Sequence, residues 1–441
     1  MVAQLCAWLE GVARQATVIA SKRARHTRIE SLSGVDVRGN GRDSVLFAVT
    51  IEASMHLLAR LFRHLPEFLI AGAVIWVQFR LCQLLCRYGA LRRSRGWRLA
   101  MWALATVLAL WIVLGILGSY AMYLTGVRSS AALIWVRGIA LAWSLASAFA
   151  FLALSLWRRV PKFNQERRGF VRAAGAAFVG APLAAMTFGI LVERKSIHMR
   201  EVDVPIPNLP KDLNGLRIVQ LSDIHLSPFL TEEELARAVD MANGVRAHLA
   251  LVTGDLITVR GDPLDTCLKQ LGRLRADAGV FGCLGNHEIY AKVEEEETRK
   301  AARLGIRILR QESQRLRFGN AALNITGVDY QRQTDDYLPG AERWIVPAET
   351  NILLSHNPDV FDVAAQQGWD LTVSGHTHGG QISVEILDQQ LSASRFFTPY
   401  VYGLYRQGRS SIWVTRGIGT VGVPARIGAP PEVALLRLCA I

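Results

Sequence analysis

The chain has 441 residues, 51% of them hydrophobic, and a formal net charge of +13 at pH 7, which admits two or three domains and a sizeable core. The charge is confined to the apolar half: residues 1–192 hold 23 Lys/Arg against 7 Asp/Glu, and residues 193–441 hold 27 against 30. A basic nucleic-acid groove is therefore excluded, and no nucleic-acid partner is expected.

Residues 1–54 are polar and weakly periodic, with KRARHTR at Lys22–Arg28 reading as disordered. Met55 opens a fresh segment leading into the first apolar run, so translation is expected to start at or near Met55, with a disordered arm as the alternative. A peptide from residues 1–54 found in the native protein would refute that start. Four apolar runs follow, Phe68–Leu85, Leu99–Leu124, Ala132–Trp157 and Phe170–Val192, each near the roughly 20 residues needed to cross a bilayer. Arg80 interrupts the first, and Pro182 lies in the fourth, where neighbouring helices tolerate it. Cys82 and Cys86 fall in the first run and read as packing; none of the six cysteines forms a CxxC pair, so no disulfide scaffold is expected.

The loops orient these runs. Arg87–Arg98 holds five arginines, and Arg158–Arg172 holds Arg158, Arg159, Lys162, Arg167, Arg168 and Arg172, whereas only Arg128 lies between runs two and three. The positive-inside rule makes the two basic loops cytoplasmic and everything after about Glu193 extracytoplasmic. Glu193–Leu216 contains VPIPNLP and reads as an extended linker.

Beyond it, short apolar runs alternate with amphipathic stretches, an α/β pattern. Strands are predicted at Leu216–Leu221, Leu249–Thr253, Val280–Leu284, Ile306–Leu309, Ala322–Gly327, Ile352–Ser355, Leu371–Val373 and Ile412–Thr415. Helices are predicted at Glu232–Arg246, Pro263–Ala276, Lys292–Leu304 and Pro358–Gln367, with Glu294–Glu297 as a solvated face. The layout expected is an N-terminal extension (1–54), a transmembrane region (55–192), a linker (193–215) and a catalytic domain (216–441).

Five of these strands end in metal-binding residue types. RIVQLSDIHL gives Asp223 and His225, LALVTGDLI gives Asp255, VFGCLGNHE gives Asn286, His287 and Glu288, NILLSHNPD gives His356, and SGHTHGGQ gives His376 and His378. Residues two apart on a strand share a face, which would aim Asp223 with His225, and His376 with His378. Between His225 and His378 five of six histidines sit at these ends, and only His248 does not; it reads as a surface residue. In an open α/β sheet such ends converge on one crevice. Imidazole, carboxylate and amide donors without thiolate suit Mn²⁺, Fe or Zn²⁺. Seven candidates exceed one tetrahedral ion and suit two divalent ions about 3.5–4 Å apart.

DIH, GD, GNHE, SH and GHTH, in this order, resemble the calcineurin-like metallophosphoesterase superfamily, and LSDIHLS, GHTHGGQ, GLYR and RGIGT…RIGAPPE resemble its bacterial membrane-linked phosphodiesterase branch. The resemblance covers about Leu216–Ile441. It implies a four-layer α/β/β/α sandwich and a membrane-anchored hydrolase of phosphodiester or pyrophosphate bonds, integral to a bacterial inner cell membrane. Asp223, His225 and His378 would hold the first ion and Asn286, His356 and His376 the second, with Asp255 bridging; Mn²⁺ is expected first, Fe or Zn²⁺ otherwise. A metal-bridging hydroxide would attack phosphorus, and His287 would protonate the leaving oxygen or steady the phosphoryl charge. Glu288 stands where many relatives have Asp and would orient His287 or remain solvated.

Ser394–Arg406 places Phe396, Phe397, Tyr400, Tyr402 and Tyr405 after the last metal motif. These rings either dip into the membrane interface and select a lipid-linked substrate or pack under the sheet edge. Two rivals remain: a zinc peptidase or amidohydrolase, weakened by the lack of HExxH, and a membrane sensor or scaffold with a closed structural metal site.

Overall fold

The computed structural model describes residues 65–87, 94–125, 129–159, 168–332, 335–386 and 389–441. The expectations for residues 1–54 and for a start at Met55 lie outside the described residues. Contacts divide the chain into two units, Met1–Arg80 and Leu81–Ile441. In the first, the described residues are helical and belong to α1 (Leu65–Arg87). Everything below concerns the second.

Three more long helices precede the sheets: α2 (Arg95–Thr125), α3 (Ala131–Trp157) and α4 (Arg168–Leu191). Among the described residues, three segments are long and apolar enough to cross a membrane, Arg95–Gly115, Ala131–Trp157 and Ala173–Lys195. The fourth expected span, Phe68–Leu85, falls in helix α1 and is not confirmed. Ser130 opens α3 by accepting the backbone N–H of Leu133.

Two six-stranded sheets follow. The first runs β1 (His198–Ile206), β14 (Glu432–Ala440), β2 (Arg217–Leu221), β3 (Leu249–Thr253), β4 (Val280–Cys283) and β5 (Ile306–Ile308). The second runs β12 (Gly403–Gln407), β13 (Ser410–Val414), β9 (Leu371–Ser374), β8 (Thr350–Leu354), β7 (Ala321–Gly327) and β6 (Glu312–Phe318). A short hairpin, β10 (Ser383–Ile386) and β11 (Gln389–Ser392), stands apart. Strands β2 to β5 are parallel, as are β7, β8, β9 and β13. Parallel strands are covered on both faces and need continuous apolar sequence. LALVT of β3 and TNILL of β8 are buried throughout.

The layers are as expected from the sequence. Ile218, Leu251, Ile325, Leu354, Val373 and Trp413 form the core between the sheets. On the outer face of the first sheet, α5 (Glu232–Gly244), α6 (Leu264–Leu271) and α8 (Glu294–Arg303) contribute Leu235, Val239, Leu268 and Ala301 to a second core. Outside the second sheet, Ala364 of α9 (Phe361–Gln367) and Trp369 pack with Leu353 of β8. Truncating a ring such as Trp413, 2% exposed, would cost about 3–5 kcal/mol. Thr231 starts α5 with a capping box: its hydroxyl accepts the Glu234 N–H at 3.2 Å, and its own N–H reaches the Glu234 carboxylate at 2.9 Å.

Three expectations need correcting. Residues 198–206, read as part of an extended linker, form edge strand β1 in register with β14 from His198↔Glu432 to Ile206↔Ala440. Glu297, read as part of a solvated face, is fully buried, whereas Glu295 is exposed. His248 is partly buried rather than free on the surface, and accepts the backbone N–H of Arg217 at 3.0 Å.

Candidate metal centre

The candidate ligands all follow strand ends of the two sheets and meet between them. Asp223 and His225 follow β2, Asp255 follows β3, Asn286 starts α7 (Asn286–Ala291) just after β4, His356 follows β8, and His376 and His378 follow β9. The loops after β2 and β3 run side by side, with Asp223 N–H donating to Gly254 O at 3.1 Å and His225 N–H to Asp255 O at 3.0 Å. Each carboxylate also holds a loop from another strand. Asp223 accepts the His376 N–H and Asp255 the His287 N–H, both at 2.9 Å. Gly254 permits a close approach: a Cβ there would stand 2.5 Å from Gly285 N and 2.9 Å from His356 Nδ1.

Strand alternation is not what aligns these side chains. Asp223, His225, Asp255, His376 and His378 lie beyond the strands with φ of 49°, 47°, 56°, 74° and 53°. Left-handed backbone is uncommon in non-glycine residues, and five instances in one crevice mark a functional strain.

Three groups of ligand atoms result, Asp223/His225/His378, His225/Asp255/His287 and Asp255/His356/His376, each within 4.8 Å. His356 Nε2 is 3.0 Å and His225 Nε2 3.4 Å from Asp255 Oδ2, and His378 Nε2 is 3.5 Å from Asp223 Oδ1. Asp255 thus belongs to two of the three groups. Asn286 is 5% exposed.

The donor set fits metal ions. Asp223 Oδ2, His225 Nε2, Asn286 Oδ1 and His356 Nε2 are buried without a hydrogen-bond partner, a costly state unless a cation completes them. His356 Nδ1 is 2.6 Å from Thr253 O, so it carries a proton and turns Nε2 toward the Asp255 carboxylate. Electrostatics agree. Burial opposes charging His356, yet the Asp255 and Asp223 carboxylates push it up to about 10, while burial drives His225 down to about 4 and His376 to about 3. The carboxylates draw positive charge into a cavity that otherwise refuses it.

His287 is partly buried, with its ring 4.7 Å from that of His225 and its Nδ1 2.7 Å from Thr258 O. Glu288 does not orient it. The Glu288 carboxylate is fully buried and accepts three backbone N–H groups, from Asp255, Leu256 and Gly285. The aromatic stretch divides residue by residue: Phe396 and Phe397 are 89% and 71% exposed, whereas Tyr400 packs on Phe361 and Tyr402 on Trp413.

Several residues at the site escaped the sequence reading. Tyr330 lies 5.5 Å from the His376 ring and Tyr290 5.5 Å from the His287 ring. Arg137, buried within α3, lines a small cavity with Phe229, Thr258, Asp262 and Thr420. A lone arginine inside an apolar run is the signal that could have found it.

Residues 216–380, which contain every candidate ligand, match the family described as calcineurin-like phosphoesterase. A bovine (Bos taurus) transmembrane protein with metallophosphoesterase domain is 30% identical over 308 residues, 66% of this chain and 68% of that protein. An uncharacterised metallophosphoesterase of Campylobacter jejuni is 32% identical over 250 residues, 55% of this chain and 64% of its own length. Another from Bacillus subtilis is 28% identical over 287 residues, 62% of this chain and 98% of its own. The family normally binds divalent metals, and the buried donors found here belong to the matched segment; the chain belongs to the calcineurin-like phosphoesterase family.

Proposed function

We propose that the chain is a membrane-anchored two-metal phosphoesterase acting on a phosphodiester or pyrophosphate bond of a lipid-linked substrate. Asp223, His225 and His378 would hold one divalent ion and Asn286, His356 and His376 the other, with Asp255 shared; Mn²⁺ is the first candidate, Fe and Zn²⁺ the alternatives. The observation that carries the reading is the set of buried donor atoms lacking partners, gathered beside a partly open histidine.

When bound, the ions supply Lewis-acid polarisation of the phosphoryl group and lower the pKa of a water. The chain's own groups orient and move protons. Thr253 O and Thr258 fix the His356 and His225 rings from behind. Thr258 O likewise accepts the Nδ1–H of His287, which turns Nε2 into the site, where the imidazolium form would give its Nε2 proton to the departing oxygen.

Lipid selection is supported by the exposure of Phe396 and Phe397 on a turn packed against His378–Gly380. It is supported too by the contact of metal-side loops with apolar helices: a Cβ on Gly138 of α3 would meet Phe229 Cζ at 2.6 Å. The spans would lie before about residue 192 and the catalytic domain over 216–441, on the extracytoplasmic side, as the basic loops direct. A C-terminal alkaline phosphatase fusion should be active; an inactive one would reverse that orientation.

The deciding test is hydrolysis of bis-p-nitrophenyl phosphate and of a lipid-linked diester by the full chain in nanodiscs, after chelation and then with Mn²⁺ restored, beside Asp255→Ala. Metal-dependent turnover absent from the variant is expected. A protein that binds two ions and hydrolyses neither compound would instead be a membrane sensor or scaffold.

A further inference from the structure

Arg426 belongs to none of the ligand-bearing loops, yet it is fully buried. Its guanidinium meets main-chain carbonyls: Nε donates to Gly419 O at 3.1 Å, and Nη1 donates to Arg416 O at 2.9 Å, Ala429 O at 3.1 Å and His378 O at 3.3 Å. Nη2 reaches Gly419 O as well and lies 3.4 Å from His378 Nδ1. No carboxylate forms an ion pair with it among the described residues. A charge buried in this way is costly; its hydrogen bonds and the nearby Asp223, Glu432 and Glu193 charges offset the cost. Such a placement needs a reason beyond packing.

The partners supply that reason. Gly419 lies against the Asp223 loop: its N–H donates to Asp223 O at 2.7 Å, and a Cβ on it would stand 2.1 Å from Ile224 O. The guanidinium is therefore a strut between the backing of Asp223 and the loop that carries His378. These are two of the three members of one candidate ion site.

The other side of Arg426 faces the membrane helices. Its backbone N–H donates to Gly189 O at 3.2 Å, near the end of α4 where helix carbonyls lack internal partners. A Cβ on Gly189 would stand 2.6 Å from Arg426 O and 2.7 Å from Ile427 Cγ1. Ala425 is buried in a cluster with Ala142, Ala146 and Met186, and Pro424 Cδ would be 2.8 Å from a Cβ on Gly138. The segment is thus seated between α3 and α4, and glycine is what lets the backbones approach.

We infer that Arg426 is a positioning residue for His378 and the Asp223 loop, and that α4 sets it in place through Gly189, so that the metal centre reaches full affinity only when docked on its membrane helices. This rests on the two-metal reading above. It makes the membrane region part of the metal site, not merely a tether.

The test is Mn²⁺ titration, followed by electron paramagnetic resonance, of the full chain in nanodiscs. Wild type is compared with Gly189→Ala, Arg426→Lys and a control, Gly180→Ala, where a Cβ meets nothing within 4 Å. Alanine is the better helix former, so a loss in Gly189→Ala does not come from the helix itself. The expected result is a 10–100-fold weaker affinity for one of the two equivalents in the first two variants, with the second equivalent and the control unchanged. Unchanged affinity in Gly189→Ala would overturn the inference even if Arg426→Lys fails to fold, and would leave the two-metal reading intact. Equal weakening of both equivalents with a lowered melting temperature would also overturn it, as general destabilisation. A wild-type protein that binds no Mn²⁺ would bring down the two-metal reading and this inference together.

Discussion

The Glu288 carboxylate accepts the backbone N–H of Asp255 at 2.9 Å and, through its other oxygen, that of Leu256 at 2.8 Å. With Gly285 N–H at 2.7 Å, it clamps the loop after β3 to the start of α7. Glutamine at 288 would turn an N–H toward a donor, and each buried donor left unpaired costs about 1–3 kcal/mol. Glu288→Gln should therefore lower the melting temperature and weaken Mn²⁺ binding about 10–100-fold. Calorimetry and metal titration of the full chain check this, and an unaltered affinity would reduce Glu288 to a structural cap.

His287→Ala should keep the bound metal and lose turnover. Removing a proton donor costs about 10²–10⁴-fold, and the loss should scale with the basicity of the leaving oxygen. An alkyl diester should suffer the full drop and a p-nitrophenyl diester much less. Metal analysis beside steady-state kinetics on both esters decides it. Equal losses on the two would mean that His287 acts on phosphoryl charge and not on the leaving group.

What the sequence made legible follows from chemistry concentrated at strand ends. The ligand positions, from Asp223 to His378, carry residue types that an apolar strand does not otherwise need, so the crevice was readable before its geometry. The backbone that aims them was not, because five left-handed φ values leave no mark in side-chain alternation. Strand β1 was missed because the prolines of VPIPNLP outweighed the alternation of Val202, Val204 and Ile206, and its partner β14 lies at the far end of the chain. Glu288 and Glu297 were misread, and Arg426 of RIGAPPE was given no role, for a shared reason. Charged residues are presumed exposed, and the carbonyls or N–H groups that bury Arg426 and Glu288 have no sequence signature.

Glu297 gives a pH prediction from a residue outside the ligand set. Both of its carboxylate oxygens are buried without a hydrogen-bond partner. Burial, then the Glu288 and Asp255 charges, holds its carboxyl well above the usual range. In the unfolded chain it would titrate near about 4.3. Between that value and the raised folded one, the native state binds a proton that the unfolded state has lost, so stability falls as pH rises through the window. Glu297→Gln removes this penalty. The variant should be more stable than wild type at pH 8, by on the order of 1 kcal/mol, with the difference vanishing near pH 4. Paired thermal unfolding scans across pH would show it, and a destabilised variant at pH 8 would mean that Glu297 is ionised and paired.

Phe396 and Phe397, 89% and 71% exposed, touch too little protein to stabilise it, and surface changes of this kind stay within about 0.5 kcal/mol. Serine at both positions should leave melting temperature and metal content unchanged. A phenyl ring leaving water is worth roughly 1.5–3 kcal/mol, so two rings resting in the interface would orient the site toward lipid strongly. Because α2, α3 and α4 already anchor the chain, that energy should appear as orientation and not as membrane attachment. The double variant should therefore raise KM for a lipid-linked diester about 10-fold or more while turning over soluble bis-p-nitrophenyl phosphate at the wild-type rate. Kinetics on both substrates in the same nanodiscs separate the effects. If both substrates are turned over as in wild type, the rings do not select lipid, and the preference must be sought in the rim formed by Tyr290 and Tyr330.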